Sequence, residues 1–269
     1  MIVLKKVRIL FLLVGLLLTV NCSKNSDDSP PDPNGIDKSA NLLATGDSAN
    51  DILSNDTYTT LLIEIAYVTG FQPSAEAMAN FEAFLQARTF KQAIEVQYKE
   101  LPSSNENDLS LEEIVNLENG NRTAYNEGTT LAIYIYFADA PSEDDDPTEG
   151  TVTLGAVYRN TSMIIHESTV RDLATQSSQV TIEDVETATL NHEFGHLLGL
   201  VNLGTPTVND HEDPNNTHHC DTQGCLMRAE LQFGGGLLSM MTSRVSKGSA
   251  AVPGLDSECI LDLQANGGR

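Results

Sequence analysis

Two histidines and a glutamate stand at a spacing that suits metal-assisted hydrolysis. The string His192-Glu193-Phe194-Gly195-His196 places two imidazoles four residues apart. On a helix, residues four apart lie on the same face, so both rings can reach a single ion. The glutamate directly after the first histidine is placed to take a proton from a water that the metal activates. The pattern predicts a zinc hydrolase site with His192 and His196 as ligands and Glu193 as the general base.

The residues around this string predict the helix that must carry it. Thr181 and Asp184 show the spacing of a capping box, so the helix should begin near Thr181. Gly199, three residues past the second histidine, can adopt the left-handed conformation that ends a helix and turns the chain back under the metal. Apolar residues flank the histidines and predict a largely buried helix, where two imidazoles without a metal would be costly.

A catalytic zinc ion needs a third protein ligand and an open position for water. With this string and the glycine after it, the chain resembles the metzincin metallopeptidases, whose pattern H-E-x-x-H-x-x-G-x-x-H is followed by a methionine turn. The position of the third histidine is occupied by Asn202, and asparagine is a poor zinc ligand. The third ligand must therefore come from elsewhere, or the site is degenerate.

The stretch 219–227 reads H-C-x-x-x-x-C-x-M. It is similar to the segment of the archaemetzincins that carries the third ligand and the methionine. The resemblance implies that Leu200–His218 is an insertion, that His219 is the third ligand, and that Met227 lies beneath the metal. A methionine suits that place because its side chain is flexible, polarisable and apolar.

Other side chains before that stretch could take the third position. His211 is the competing candidate, and Asn202, Asp210 or the lack of a third ligand also stay open, since metal sites accept several ligand types. His166 precedes Glu167 on a predicted strand, where adjacent residues face opposite sides and cannot easily share an ion. We therefore interpret His166 as a structural or surface histidine.

The residue pattern favours an α/β (α+β) fold, and the resemblance implies that it is metzincin-like or zincin-like. Predicted strands cover Thr57–Thr69, Ala93–Leu101, Leu131–Ala138, Val152–Tyr158 and Met163–Glu167, and predicted helices cover Ser74–Phe90, Leu109–Leu117 and Leu237–Arg244. We expect a mixed twisted sheet, an active-site helix and a smaller C-terminal lobe. The resemblance also implies an edge strand that pairs with an extended substrate, and Val152–Tyr158 is our candidate.

Three cysteines follow the motif, at Cys220, Cys225 and Cys259. Outside the cytoplasm, a Cys220–Cys225 disulfide could brace the turn beneath the metal and leave Cys259 free. Archaemetzincins bind a second, structural zinc with further cysteines after the methionine. Because this chain offers only Cys259 there, we favour the disulfide.

Residues 1–21 predict a signal peptide, since three basic residues precede the apolar run Ile9–Val20. Cys22 follows at once, which resembles a bacterial lipoprotein signal in which this cysteine is lipidated. An ordinary secreted protein with a chance cysteine is the alternative. The acidic stretch after Cys22 resembles those that direct lipoproteins to the outer surface of some Gram-negative bacteria. We expect an extracytoplasmic lipoprotein of the outer membrane or cell surface.

The composition limits the partners of the chain. Its 269 residues carry a formal net charge of −23, which argues against binding to nucleic acid or to anionic lipid. Residues 22–50 are rich in Ser, Asp, Asn and Pro and predict a flexible acidic tether. Residues 51–269 suit one metallopeptidase domain, expected to be monomeric, with membrane contact only through the N-terminal lipid.

Together these features predict a zinc-dependent metalloendopeptidase that acts on protein or peptide substrates. A protein of another class, a zinc-stabilised surface lipoprotein that binds ligands without catalysis, is the alternative. Asn202 favours that alternative, whereas Glu193 argues against it, because a purely structural zinc needs no general base. Hydrolysis of a non-peptide amide would use the same residues.

Overall fold

The computed structural model describes residues 35–146, 151–231 and 234–269. The predicted signal peptide, the lipidation site Cys22 and the first part of the predicted tether lie outside the described residues. Residues 36–269 belong to one compact unit. Within the described ranges, none of the helices combines the length and the apolar character that crossing a membrane requires.

A five-stranded sheet forms the centre of the fold. Its strands are β1 Thr60–Val68, β2 Ala93–Leu101, β3 Thr130–Phe137, β4 Gly155–Arg159 and β5 Ser162–Ile165. The strand order is β2-β1-β3-β5-β4, with β4 antiparallel to β5 and the other pairs parallel. Strands β1 and β3 are long apolar runs because helices and loops cover both of their faces. The predicted mixed α/β class is confirmed, and β4 lies at the sheet edge where the candidate strand was expected.

Seven α-helices occur in the described residues. They are α1 Ala49–Leu53, α2 Ala75–Arg88, α3 Leu111–Asn121, α4 Glu167–Ala174, α5 Ile182–Leu197, α6 Gly234–Ser246 and α7 Ser257–Ala265. Local capping fixes two of their starts: the Ser74 side chain caps α2, and the Ser110 side chain caps α3. One prediction was wrong at its end, because the strand assigned to Met163–Glu167 stops at Ile165 and Glu167 begins α4.

Helix α5, which carries the histidine motif, lies inside the molecule. It packs against α2, α4 and β4, and the residues from Val185 to Leu197 are all buried. Phe194 meets Phe81 of α2 edge-to-face, with ring centroids 5.2 Å apart. The prediction of a buried motif helix is confirmed, and a helix packed on several sides gives its side chains fixed positions.

The predicted tether ends earlier than residue 50. A 3-10 helix spans Ser39–Asn41, and α1 follows it. Asn41 is fully buried and donates to the Ala132 carbonyl and to the Asn126 side chain, while Asn160 donates to the Ala40 carbonyl. Polar side chains in residues 36–50 therefore form hydrogen bonds with the rest of the folded unit. The folded unit begins at Ile36 and not at residue 51, where the sequence placed the start of the domain.

Candidate metal centre

The start of α5 sets the rotational position of the histidines. The Thr181 hydroxyl accepts a hydrogen bond from the Asp184 amide, and the Asp184 carboxylate accepts one from the Thr181 amide. This reciprocal pair is the predicted capping box. With the first turn fixed in this way, His192 and His196 point to the same side of the helix.

Three buried imidazoles meet in one group: His192, His196 and His219. Their ring centroids lie 4.9 to 5.4 Å apart, and one nitrogen from each ring lies within 4.8 Å of the others. A tetrahedral zinc holds each nitrogen at roughly 2.0–2.1 Å, so nitrogens this close can share an ion with small adjustments. The sequence prediction of His219 as the third member agrees with this placement.

Hydrogen bonds on the outer side of the group orient the rings. His192 Nδ1 donates to the Leu226 carbonyl at 2.7 Å, which leaves Nε2 with a lone pair for a metal. His219 Nδ1 lies 2.9 Å from the Thr217 carbonyl in the same way. In the described part of the chain, His192 Nε2 is buried without a hydrogen-bond partner. A buried nitrogen in that state is what a metal ligand requires, so the residues fit a cation.

Burial also sets the protonation of the group. It lowers the pKa of His192 to about 3 and the pKa of His196 well below its usual value. Both rings are therefore neutral near pH 7, the form that binds a metal. Burial raises the pKa of Glu193 to about 8, and an adjacent cation would lower it again. Neither carboxylate oxygen of Glu193 has a hydrogen-bond partner among the described residues.

A glycine of the edge strand makes room for Glu193. A Cβ atom on Gly155 would lie 2.7 Å from Glu193 Cγ and 3.0 Å from the Ile164 carbonyl oxygen. Only glycine therefore lets β4 approach α5 so closely at this point. Sequence reasoning did not single out Gly155, because only the packing of β4 on α5 gives it this role.

The metal group opens into a cleft of about 360 Å³. The cleft is lined by Thr45, Ala156, Val157, Glu193, His196, Leu203, Thr217, His218 and His219. The edge strand β4 forms one wall, and the loop between α5 and His219 forms the other. A cleft bounded by a strand edge can accept an extended chain through backbone hydrogen bonds.

The loop wall is held by a direct contact between two backbones. A Cβ atom on Gly46 would lie 2.0 Å from the Leu203 carbonyl oxygen, and one on Gly204 would lie 2.7 Å from Gly46 Cα. Both glycines have positive φ, +87° and +86°. The segment before α1 therefore clamps the predicted insertion Leu200–His218 beside the cleft.

Met227 packs against the motif helix at Gly195, and its place beneath a metal stays a prediction. It is fully buried, and a Cβ atom on Gly195 would lie 2.3 Å from its Sδ atom. The Met227 carbonyl accepts a hydrogen bond from the Cys220 amide, directly after His219. Gly195, within the motif string itself, is thus a second packing glycine that sequence reasoning missed.

Asn202 serves the loop rather than the metal group. Gly199 has φ +77°, as expected at the helix end, and Asn202 has φ +62° in the turn that follows. The Asn202 side-chain amide donates to Glu212 at 2.6 Å, and its oxygen accepts from the Thr207 amide. The departure from the metzincin pattern at this position therefore stabilises the insertion that brings His219 to the site.

His211, the alternative third ligand, lies in a second group of potential ligands and not with His192 and His196. His211 lies with Cys220, Asp256 and Cys259, and their ligand atoms lie within 4.8 Å of one another. His211 Nδ1 is 3.3 Å from Cys220 Sγ, and its Nε2 is 2.8 Å from Asp262 Oδ2. These contacts direct the ring away from the imidazole group.

The predicted Cys220–Cys225 disulfide is not formed, and Cys220, Cys225 and Cys259 are free thiols. The Cys220 sulfur faces His211 and Asp256, whereas the Cys225 sulfur lies 3.6 Å from the Cys259 sulfur. Three buried sulfurs and an imidazole in one place form a donor set that suits zinc.

His166 lies outside both groups, buried with Nδ1 2.9 Å from the Ala140 carbonyl, which agrees with a structural role.

No family model and no curated protein matches the chain. Among solved structures, archaemetzincin from Methanopyrus kandleri is similar, with a TM-score of 0.45 and 14% identity over 78% of this chain and 96% of that chain. Metalloproteinase-II from Bacteroides fragilis is similar with a TM-score of 0.41 and 12% identity over 89% of this chain and 59% of that chain.

Proposed function

We propose that this chain is a zinc-dependent metalloendopeptidase. The observation that carries the proposal is the buried group of His192, His196 and His219, with the Glu193 carboxylate beside it at the wall of an open cleft. His192 and His196 are neutral near pH 7, and the Glu193 carboxylate has no protein hydrogen-bond partner among the described residues. Such a set is of use to a hydrolase and of little use to a purely structural site.

Zinc bound by the three imidazoles would polarise a substrate carbonyl and make a water more acidic. Glu193 accepts the proton of the attacking water and delivers it to the leaving amine, so the same carboxyl acts first as base and then as acid. The edge of β4 supplies backbone groups that hold an extended peptide beside Glu193. A protein or peptide is therefore the proposed substrate.

We also propose a structural zinc in the second group, held by His211, Cys220, Cys225 and Cys259. Asp256 is a poorer candidate for this group because its carboxylate already caps α7 by accepting from the Cys259 amide at 2.8 Å. The contact of His211 Nε2 with Asp262 leaves Nδ1 for the metal, in the usual carboxylate–histidine arrangement.

The sequence alone supports the remaining parts of the proposal. We propose that Cys22 carries a lipid that anchors the protein to the outer membrane or cell surface. The enzyme is proposed to act there as a monomer, without nucleic acid as a partner.

The first test compares wild type with Glu193→Gln on a broad protein substrate such as casein. Turnover should fall by roughly 10²-fold or more, because general-base catalysis contributes about that much. Zinc content should stay unchanged, and a chelator should abolish wild-type activity. A Glu193→Gln variant that still cleaves casein at the wild-type rate would refute the assignment.

The second test uses two histidine variants as matched controls. His219→Ala should lose activity and the catalytic metal, whereas His211→Ala should lose only the second metal. Retention of the catalytic metal in His219→Ala together with its loss in His211→Ala would reverse the assignment. A wild type that binds zinc but cleaves no protein or peptide would favour the alternative of an inactive, zinc-stabilised surface lipoprotein.

A further inference from the structure

A second cavity, of about 750 Å³, lies between α6 and the segment 223–230. Small side chains along one face of α6 leave the space open, and the opposite side is formed by the turn at 223–224 and by Arg228. Its lining residues include Gln223, Arg228, Ser239, Ser243, Arg244 and Lys247. The cavity is twice as large as the catalytic cleft and falls within the size range of ligand sites.

The charge of this cavity is opposite to that of the chain. The protein has a formal net charge of −23, yet three cations line the cavity with Glu230 as the one acidic lining residue. Arg228 is bound by Glu230 through two hydrogen bonds of 2.5 and 2.8 Å, so this pair is neutral. Arg244 and Lys247 have no carboxylate partner in the described part of the chain, which leaves an excess of positive charge.

The two unneutralised cations differ in how firmly they are held. The Arg244 guanidinium donates through Nε to the Ala250 carbonyl at 3.0 Å and through Nη2 to the Val252 carbonyl at 3.5 Å. Its Nη1 group lies beside Gly224 in the cavity wall and makes no protein hydrogen bond within the described ranges. Lys247, in the turn directly after α6, is exposed and can move toward a ligand. A fixed guanidinium and an adaptable ammonium together suit carboxylate groups.

The remaining lining residues narrow the class of ligand. Serine hydroxyls and the Gln223 amide can bind a peptide backbone, and Met240 offers an apolar contact. Among the described residues that line the cavity, the polar and charged side chains outnumber the apolar ones. Leu226 and Met227 lie between the lining residues Gly224 and Arg228 in the chain. The Leu226 carbonyl accepts a hydrogen bond from His192, and Met227 packs against Gly195, so this segment contacts both the cavity and the motif helix.

We infer that this cavity binds an acidic peptide segment of the substrate, so that the enzyme selects proteins with clustered Asp and Glu residues. This inference rests on the proposed peptidase function. The general negative charge of the chain would repel such a peptide at long range, but physiological salt screens charges beyond roughly 8 Å. Contacts with Arg244 and Lys247 at short range then decide binding.

The experiment measures direct binding, so that cleavage does not enter the result. Zinc-loaded full-length Glu193→Gln protein is titrated with a peptide of alternating Glu and Gly and, separately, with inorganic sulfate. Lys247→Glu is the main variant, since the Lys247 side chain has no hydrogen-bond or ion-pair partner among the residues that the structure describes, and Lys38→Glu is the control of equal charge. Ser243→Phe fills the cavity without changing charge.

We expect the acidic peptide to bind, with a loss of roughly tenfold or more in affinity for Lys247→Glu and for Ser243→Phe, and little change for Lys38→Glu. Equal losses in Lys247→Glu and Lys38→Glu would overturn the inference, as would binding of sulfate without binding of the peptide. If the wild type binds the peptide but cleaves no protein or peptide, the cavity is still a binding site for acidic peptides. That outcome would refute the peptidase proposal and not the binding of acidic peptides in the cavity.

Discussion

Replacing Gly195 by alanine should weaken both the fold and the metal centre through Met227. The new methyl group would lie 2.3 Å from Met227 Sδ and 3.0 Å from its Cε atom. Ordinary contacts of this kind are about 3.5–4.0 Å, so the thioether must move by roughly 1 Å or more within a fully buried site. Met227 follows Leu226, whose carbonyl orients His192. Movement of the methionine would therefore disturb His192, a proposed metal ligand.

Two opposing effects set the size of the change. Overpacking of a core costs about 1–3 kcal/mol, and alanine favours a helix interior over glycine by about 1 kcal/mol. The expected net loss in the free energy of unfolding is therefore about 0–2 kcal/mol. Zinc affinity should fall by roughly 10- to 100-fold, as is usual when the partner of a ligating histidine is displaced.

The assay combines urea unfolding of the chelated protein with zinc competition titrations. Gly120→Ala is the matched control, since Gly120 lies in α3 with no atom within 4 Å of its added methyl, and it should gain stability from helix propensity alone. Met227→Ala should cost about 2–5 kcal/mol, and the double variant with Gly195→Ala should cost less than the sum. If Gly195→Ala gains stability as Gly120→Ala does and binds zinc like wild type, the steric reasoning is refuted.

Four further outcomes are expected. In chelated protein, Glu193→Gln should be more stable than wild type at pH 8 but not at pH 4. The pKa of Glu193 in the folded protein, about 8, lies above its unfolded value, so the stability of the wild type falls as pH rises between the two values. Urea titrations in which the variant and the wild type are equally stable at pH 8 would contradict this. Gly155→Ala should retain zinc and lose turnover, since its methyl would displace the Glu193 side chain; an unchanged kcat in a peptide assay would argue against that contact. Cys259→Ser should bind one metal equivalent fewer and melt at a lower temperature, as elemental analysis and calorimetry can show, whereas an unchanged metal content would remove the second site. Cys22→Ser should move the protein from the detergent phase to the aqueous phase on phase partition, and its retention in detergent would exclude lipid at Cys22 as the anchor.

Much of the site could be predicted because its determinants are local. The capping box at Thr181 and the i, i+4 spacing of His192 and His196 fix a helix and a shared face without any tertiary information. The strands β1 and β3 were also predictable, because their apolar runs match strands buried on both faces.

The features that were missed depend on contacts between distant segments. Nothing in the sequence near Asn41 reveals that its side-chain amide donates to the Ala132 carbonyl of β3 and to the Asn126 side chain. The cysteine pairing was predicted from an expected extracytoplasmic compartment, where disulfides are common, whereas the fold brings His211 to Cys220 and Cys259 to Cys225. Gly155 and Gly195 owe their roles to packing, which a glycine in a sequence does not disclose.

If the lipid proposed at Cys22 anchors the protein to a cell, the contact of Gly46 with Leu203 and Gly204 bears on how the proposed enzyme is released. A protease that cuts ahead of Ile36 would release the compact unit 36–269 with both walls of its cleft in place. A cut directly after Gly46 would break the covalent link between Gly46 and α1, and the loop that leads to His219 would lose this restraint. Shedding and inactivation would then differ by the choice of a cleavage point within one short stretch of chain.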